Sequence, residues 1–103
     1  QQTGSIGDLP KFPEVRRDLA LLIDQAVQYA DLERLAYQTE RKLLKNVTLF
    51  DVYEGKGLPA GKKSYALVFK LRDEHKTLTD KEVDKTMNRL LECFKREVGA
   101  ELR

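Results

Sequence analysis

Three observations predict a two-layer α+β sandwich with the element order β-α-β-β-α-β. Apolar residues alternate with period two in three separated stretches, and two further stretches carry apolar stripes at helical spacing. The second helical stretch is also bounded by a start signal and a stop signal. With 103 residues, 41% of them hydrophobic and 35% charged, the chain has room for one domain with a modest core and not for two.

The opening residues 1–9 are polar and glycine-containing and read as a linker or a terminal remnant, with the domain running from 10 to 103. The chain does not begin with Met and is read as a piece of something longer. After Pro10 and Pro13, Arg16 to Asp24 (RRDLALLID) forms the first strand. Leu19, Leu21 and Ile23 share its inner face, and Asp18, Ala20, Leu22 and Asp24 the other. Tyr29 to Leu44 reads as a helix with the stripe Leu32, Leu35, Ala36, Thr39 and Leu43.

Val47 to Tyr53 is the second strand, with Phe50 and Val52 expected on the inner face. Lys63 to Arg72 is the third, with Tyr65, Leu67, Phe69 and Leu71 inward. The last helix opens on Thr79-Asp80-Lys81-Glu82, a capping box in which the Thr hydroxyl and the Glu carboxylate take up free backbone amides. Val83, Met87, Leu90, Leu91, Phe94 and Val98 form its buried stripe, Gly99 ends it, and Ala100 to Arg103 remains as a short fourth strand. The pattern is that of a ferredoxin-like sandwich: a four-stranded antiparallel sheet with both helices on one face.

Such a fold leaves the other sheet face open, and alternation decides what it carries. Leu49, Asp51 and Tyr53 are expected there from the second strand, and Ser64, Ala66, Val68, Lys70 and Arg72 from the third. Together with Asp18, Ala20 and Leu22 they make a surface with small residues in the middle and one aromatic at its rim, flanked by Lys62, Lys63, Lys70 and Arg72. Single-stranded RNA suits such a surface: a base lies on the ring, Asp or Ser bonds its edge, and lysines meet phosphates. The bland alternative is that Tyr53 merely shields a neighbour and the Lys-Lys pair is a solvated turn. The sheet also lacks the paired aromatics of RRM domains. The net charge of +2 gives no global field that favours nucleic acid or membrane.

Four blocks, "KFPEVRRDLALLID", "LFDVYEGKGLPAGKKSYALVFKL", "TLTDKEV" and "GAELR", together resemble the ferredoxin-fold anticodon-binding domain that closes the beta subunit of bacterial phenylalanyl-tRNA synthetases. The resemblance covers residues 10 to 103, in order and with compatible spacing. It implies binding of the anticodon stem-loop of phenylalanine tRNA on the open sheet face. Carried over position by position, it points to Ala20, Asp51, Tyr53 and Ser64, with Lys62 and Lys63 beside them. Tyr53 would stack on an anticodon base while Asp51 and Ser64 read its edge. The family's enzyme is a cytoplasmic assembly of two alpha and two beta subunits that uses ATP and magnesium. Its aminoacylation site is in the alpha subunit, so the resemblance implies a segment without catalysis or cofactor.

Other chemistries find little support. His75, the one histidine, has no Cys or His partner at ligand spacing, so no metal site is expected. Cys93 excludes an internal disulfide, suggests a reducing compartment, and lies beside the buried stripe of the last helix. "GKKS" is similar to the end of a phosphate-binding loop, but Lys63 stands where the Ser or Thr is required, and a strand follows where a helix is needed. The acylphosphatases share this fold class, but their glycine-rich phosphate cradle is missing. There is no signal-peptide pattern and no apolar run of membrane-spanning length. The alternative to RNA binding is a ferredoxin-like regulatory or protein-docking domain, for which Leu22, Leu49 and Val68 on the open face would supply apolar contacts.

Overall fold

The computed structural model describes residues 12–103; the linker expected at 1–9 and the first residues of the domain lie outside the described residues. The elements are β1 (Val15–Asp24), α1 (Tyr29–Thr39), β2 (Leu44–Tyr53), β3 (Lys62–Leu71), α2 (Asp80–Val98) and β4 (Glu101–Leu102). The sheet order is β2-β3-β1-β4 with every neighbouring pair antiparallel, which is the expected sandwich.

One face of the sheet is buried. Leu21 and Ile23 of β1 and Leu67, Phe69 and Leu71 of β3 pack with Leu32 and Ala36 of α1 and Val83, Leu90 and Phe94 of α2. Both helices therefore cover the same side. Phe69 and Phe94 stack across the layers with ring centroids 6.3 Å apart, a geometry that aromatic pairs favour.

α2 ends as its sequence signals. Thr79 Oγ1 accepts from Glu82 N at 3.2 Å, and Glu82 Oε1 accepts from Thr79 N at 3.0 Å. At the other end Gly99 takes φ 68°, in the left-handed region open to glycine, so that its N–H and that of Ala100 close onto Lys95 O and Phe94 O.

α1 is shorter than its apolar stripe suggests: it stops at Thr39, and Leu43 and Leu44 lie beyond it. Glu40 is extended there, and its Oε2 accepts from Leu43 N at 3.2 Å. Its other oxygen lies 3.3 Å from Arg89 Nη2 of α2, and the side chain is almost fully buried. A partner from another helix thus fixes the break, which the local pattern does not record.

β2 departs from simple alternation in two places. Its register against β3 shifts between Leu44 and Asn46 and again between Leu49 and Asp51, so Lys45 and Phe50 are each an extra residue. Such bulges redirect the side chains on either side of them. Leu49, expected on the open face, pairs with Leu67 and packs against the core. Phe50, expected inside, is instead 66% exposed. Val52 pairs with Tyr65 on the helix side but stays exposed at its margin.

The outer edge of β2 is held by α1. Tyr29 Oη donates to Val47 O at 2.9 Å, and Tyr37 Oη accepts from Val47 N at 3.1 Å. An edge strand presents unpaired backbone groups, and the two tyrosines satisfy both of those on Val47. Burial, together with Glu33 beside it, pushes the Tyr29 phenol up to about 12.

Candidate nucleic-acid interface

The sheet face away from the helices is organised in rows that cross the strands. One row runs Glu101, Leu22, Ser64, Tyr53, and the next runs Ala20, Ala66, Asp51. Ala20, Asp51, Tyr53 and Ser64 are thereby gathered on one surface. Asp51 and Tyr53 reach it because of the bulge at Phe50, which resets the alternation after Leu49.

Tyr53 is partly exposed, and its hydroxyl donates to Lys56 O in the following loop. That loop is closed by its own hydrogen bonds: Leu58 N to Gly55 O, Lys62 N to Pro59 O and Gln25 N to Gly61 O. Gly55 has φ 122°, so the chain can turn back immediately after Tyr53 and Glu54 and bring Lys56 to the phenol. The glycine-rich stretch therefore pins the ring by its far end. The Asp51 carboxylate accepts from Val52 N at 2.9 Å through Oδ1.

Arg103 completes the surface, and the sequence did not reveal it. Its N–H donates to Ala20 O at 2.8 Å, so it continues β4 along the free side of β1. From there its guanidinium lies 5.3 Å from the centroid of the Tyr53 ring. Three strand spacings separate β4 from β2, about 14 Å, so the two side chains meet above the middle of the sheet. Small residues at Ala20 and Ala66 leave room for this crossing, and Ser64 beneath is only 4% exposed.

The two lysines differ from each other. Lys62 pairs with Asp24 in the register, and its Nζ lies 2.8 Å from Asp24 Oδ1; that hydrogen bond raises the ammonium pKa. Lys63 pairs with Ile23 on the helix side, is buried, and places Nζ 4.6 Å from the centroid of the Tyr65 ring. It therefore does not share a face with Ser64 and Tyr53. Lys70 lies on the open face, opposite Arg16.

The open face carries both signs of charge. Arg16, Lys62, Lys70 and Arg103 share it with Asp18, Asp24, Asp51 and Glu101. Arg16 is bound to Asp18 at 3.2 Å, as Lys62 is to Asp24. Among the described residues, Lys70 and Arg103 pair with no carboxylate.

Elsewhere, a shallow basic pocket lined by Lys42, Lys45, Glu74 and His75 sits at the far end of β2 from Tyr53. Among the described residues, no cluster of three His, Cys, Asp or Glu side chains could hold a metal ion, and no helix is long and apolar enough to cross a membrane.

The model of the ferredoxin-fold anticodon binding domain matches residues 10–103. The chain is 58% identical over 99 residues to a phenylalanine–tRNA ligase beta subunit of Bacteroides fragilis. It is 57% identical over 96 residues to that of Porphyromonas gingivalis, and 43% identical over 95 residues to that of Clostridium acetobutylicum. These alignments cover 96%, 93% and 92% of the chain, and 12% of each relative's length.

Proposed function

This chain belongs to the ferredoxin-fold anticodon-binding domain family, and from that membership we propose that it binds the anticodon stem-loop of phenylalanine tRNA on its open sheet face. In this reading it is a non-catalytic module, without a cofactor of its own, of the beta subunit of a cytoplasmic phenylalanine–tRNA ligase. Its partners there are the tRNA and, through the whole enzyme, the alpha subunit of an α2β2 assembly.

One juxtaposition carries the reading: the Tyr53 ring, the Asp51 carboxylate and the Ser64 hydroxyl share one face around the alanines Ala20 and Ala66. The ring offers a stacking surface. Asp51 Oδ1 is engaged by the backbone, so Oδ2 is the oxygen left to accept from a base edge. Ser64 can both donate and accept. Because Ser64 lies under the Arg103–Tyr53 crossing, a base reaches it only when the guanidinium shifts off or moves above the base. Lys62 stands at the rim as a phosphate contact, in competition with Asp24. Lys63, buried on the other side, supports the strand rather than the RNA in this reading.

A titration of the 103-residue chain with the phenylalanine anticodon stem-loop tests this. Binding should fall for a changed anticodon, and Tyr53→Ala should cost roughly 1–3 kcal/mol. Of the four cations placed on the open face above, Arg16 and Lys62 already hold carboxylates, which leaves Lys70 and Arg103 to release counterions freely. The slope of log K against log salt is then about −1.4, from about −0.7 for each cation on a single strand. Binding that ignores both Tyr53 and the anticodon would reduce the reading to generic phosphate attraction. Binding of a protein partner at this face, indifferent to salt, would favour the docking alternative.

A further inference from the structure

We propose that Phe50, Arg16 and Lys70 form a second nucleotide subsite on the open face, which stacks an unpaired base next to the one held at Tyr53. The inference rests on the reading of that face as an RNA surface, and it adds a stacking residue that alternation had assigned to the core.

Three features meet there. The first is the bulge. Phe50 is the extra residue between Leu49 and Asp51, so this face carries its ring in addition to the side chain of Asp51, the residue that pairs with Ala66. Bulges are common beside functional sites because they re-aim a side chain. Among the described residues Phe50 is also the most exposed large hydrophobic side chain, at 66%. A single exposed apolar residue needs no explanation by itself, so the weight falls on its surroundings.

The second feature is Arg16, whose guanidinium lies 5.9 Å from the centroid of the Phe50 ring. Arg16 belongs to the open-face set of β1, and its Nε donates to Asp18 Oδ1 at 3.2 Å. The guanidinium is thus steered over the ring from one side.

The third feature is a like-charge pair. Arg16 and Lys70 are directly opposite each other in the β1–β3 register. Like charges at directly opposed positions destabilise a sheet, and Asp18 offsets only one of them. An anion placed between the two cations would relieve the repulsion. An aromatic ring under one guanidinium, with a second cation opposite that arginine in the register, matches the two parts of a nucleotide, base and phosphate. Phe50 and Tyr53 lie three residues apart on β2, about 10 Å at the rise of a strand. That is far enough to hold different bases and near enough for both to come from one loop.

The test uses the 103-residue chain and the phenylalanine anticodon stem-loop, with 2-aminopurine placed in turn at each loop position. Phe50→Ala should weaken binding roughly 5- to 150-fold, the equivalent of one lost stacking contact. It should also restore the fluorescence of a 2-aminopurine at a loop position different from the one released by Tyr53→Ala. Phe50→Trp should keep the parental affinity, and Phe50→Leu, which retains apolar area without a ring, should not. Lys70→Ala should lower the salt slope by about 0.7, while Phe50→Ala leaves the slope unchanged. All the Phe50 variants should melt with the parent, because the side chain is outside the core.

If Phe50→Ala binds like the parent while Tyr53→Ala does not, the second subsite is overturned and the first reading stands. If both variants release the same 2-aminopurine, Phe50 is part of the Tyr53 site and a separate subsite is again overturned. If neither change matters, or the parent chain does not bind the stem-loop, both readings fall together.

Discussion

The guanidinium of Arg103 rests over the ring of Tyr53, 5.3 Å from its centroid, although the two residues belong to opposite edges of the sheet. The contact bridges the face proposed for RNA. A base that stacks on Tyr53 must take the place Arg103 now fills, and Arg103 can then close over the base from above. Arg103→Ala is therefore expected to weaken stem-loop binding and to lower the salt slope by about 0.7. Arg103→Lys should restore the slope, because the charge returns. It should leave a deficit of up to about 1 kcal/mol, because an ammonium lacks the planar stacking surface of a guanidinium. Tighter binding of Arg103→Ala than of the parent would show that the arginine only obstructs the face.

The edge of β2 depends on a pair of phenols. Tyr29 and Tyr37 satisfy both outward backbone groups of Val47. Removing either hydroxyl by Tyr29→Phe or Tyr37→Phe should cost about 1 kcal/mol, the usual net worth of one hydrogen bond. In a domain of this size that lowers Tm by about 4–8 °C. Calorimetry checks this, and hydrogen exchange at Val47 should rise selectively in Tyr37→Phe. An unchanged Val47 amide would mean that the tyrosine does not protect it.

Glu40 joins α1 to α2 through Arg89 at 3.3 Å while it also accepts the Leu43 amide. Its carboxylate is almost fully buried, whereas Arg89 remains half exposed. Arg89→Met would leave a buried carboxylate with one partner fewer, at a cost of roughly 1–3 kcal/mol, below the full penalty of a sealed ion pair. Glu40→Gln in that background should recover part of the loss. Chemical denaturation of the two single variants and the double variant measures the coupling, and strict additivity would show that the pair is not coupled.

Much of this was legible in the sequence. Strand alternation identified the buried sets of β1 and β3, and the capping box and Gly99 located the ends of α2 because each signal lies within a few residues. Long-range causes were not legible. The stop of α1 depends on Arg89, nearly fifty positions away in the chain, so the apolar stripe through Leu43 was misleading. Arg103 could be placed over Tyr53 only once β4 was known to flank β1. Lys63 adjoins Lys62 in the sequence, yet neighbours in a strand face opposite ways, and the two lysines lie on opposite sides of the sheet. Asp51 and Tyr53 came out on the expected face although the premise for it, Phe50 pointing inward, was wrong.

That last point can be tested directly. If Phe50 is a true insertion, its deletion should leave a regular ladder: Leu49 in, Asp51 out, Val52 in, Tyr53 out. The flanking pairs Leu49–Leu67 and Asp51–Ala66 already hold the register on either side. Deletion of Phe50 should therefore give a cooperatively folded protein with Tm within a few degrees of the parent. Deletion of Asp51, which lies beside the same bulge but is itself a paired residue, should be tolerated only if Phe50 takes its place in the ladder, and would leave a phenylalanine where the carboxylate was. Deletion of Leu49 removes a core contact and should be the most damaging of the three. If loss of Phe50 proves as harmful as loss of Leu49, the bulge is a structural requirement of the sheet.

The capping box of α2 supplies a pH dependence whose direction follows from one carboxylate. Hydrogen bonds from Lys76, first, and from the Thr79 amide hold the Glu82 carboxyl down at about 2, and the same contact raises Lys76. A carboxyl lowered by folding contributes stability that is fully present above its unfolded value and is lost as the pH falls through the folded one. The contribution should therefore persist at neutral pH and fade from about pH 4.5 to about pH 2. Glu82→Gln keeps a side chain that can accept from Thr79 N but does not titrate. Its Tm should lie below the parent's at pH 7 and approach it near pH 2. Parallel Tm–pH curves for the two proteins would mean that Glu82 carries no proton-linked stability, and that the box holds the helix end by hydrogen-bond geometry alone.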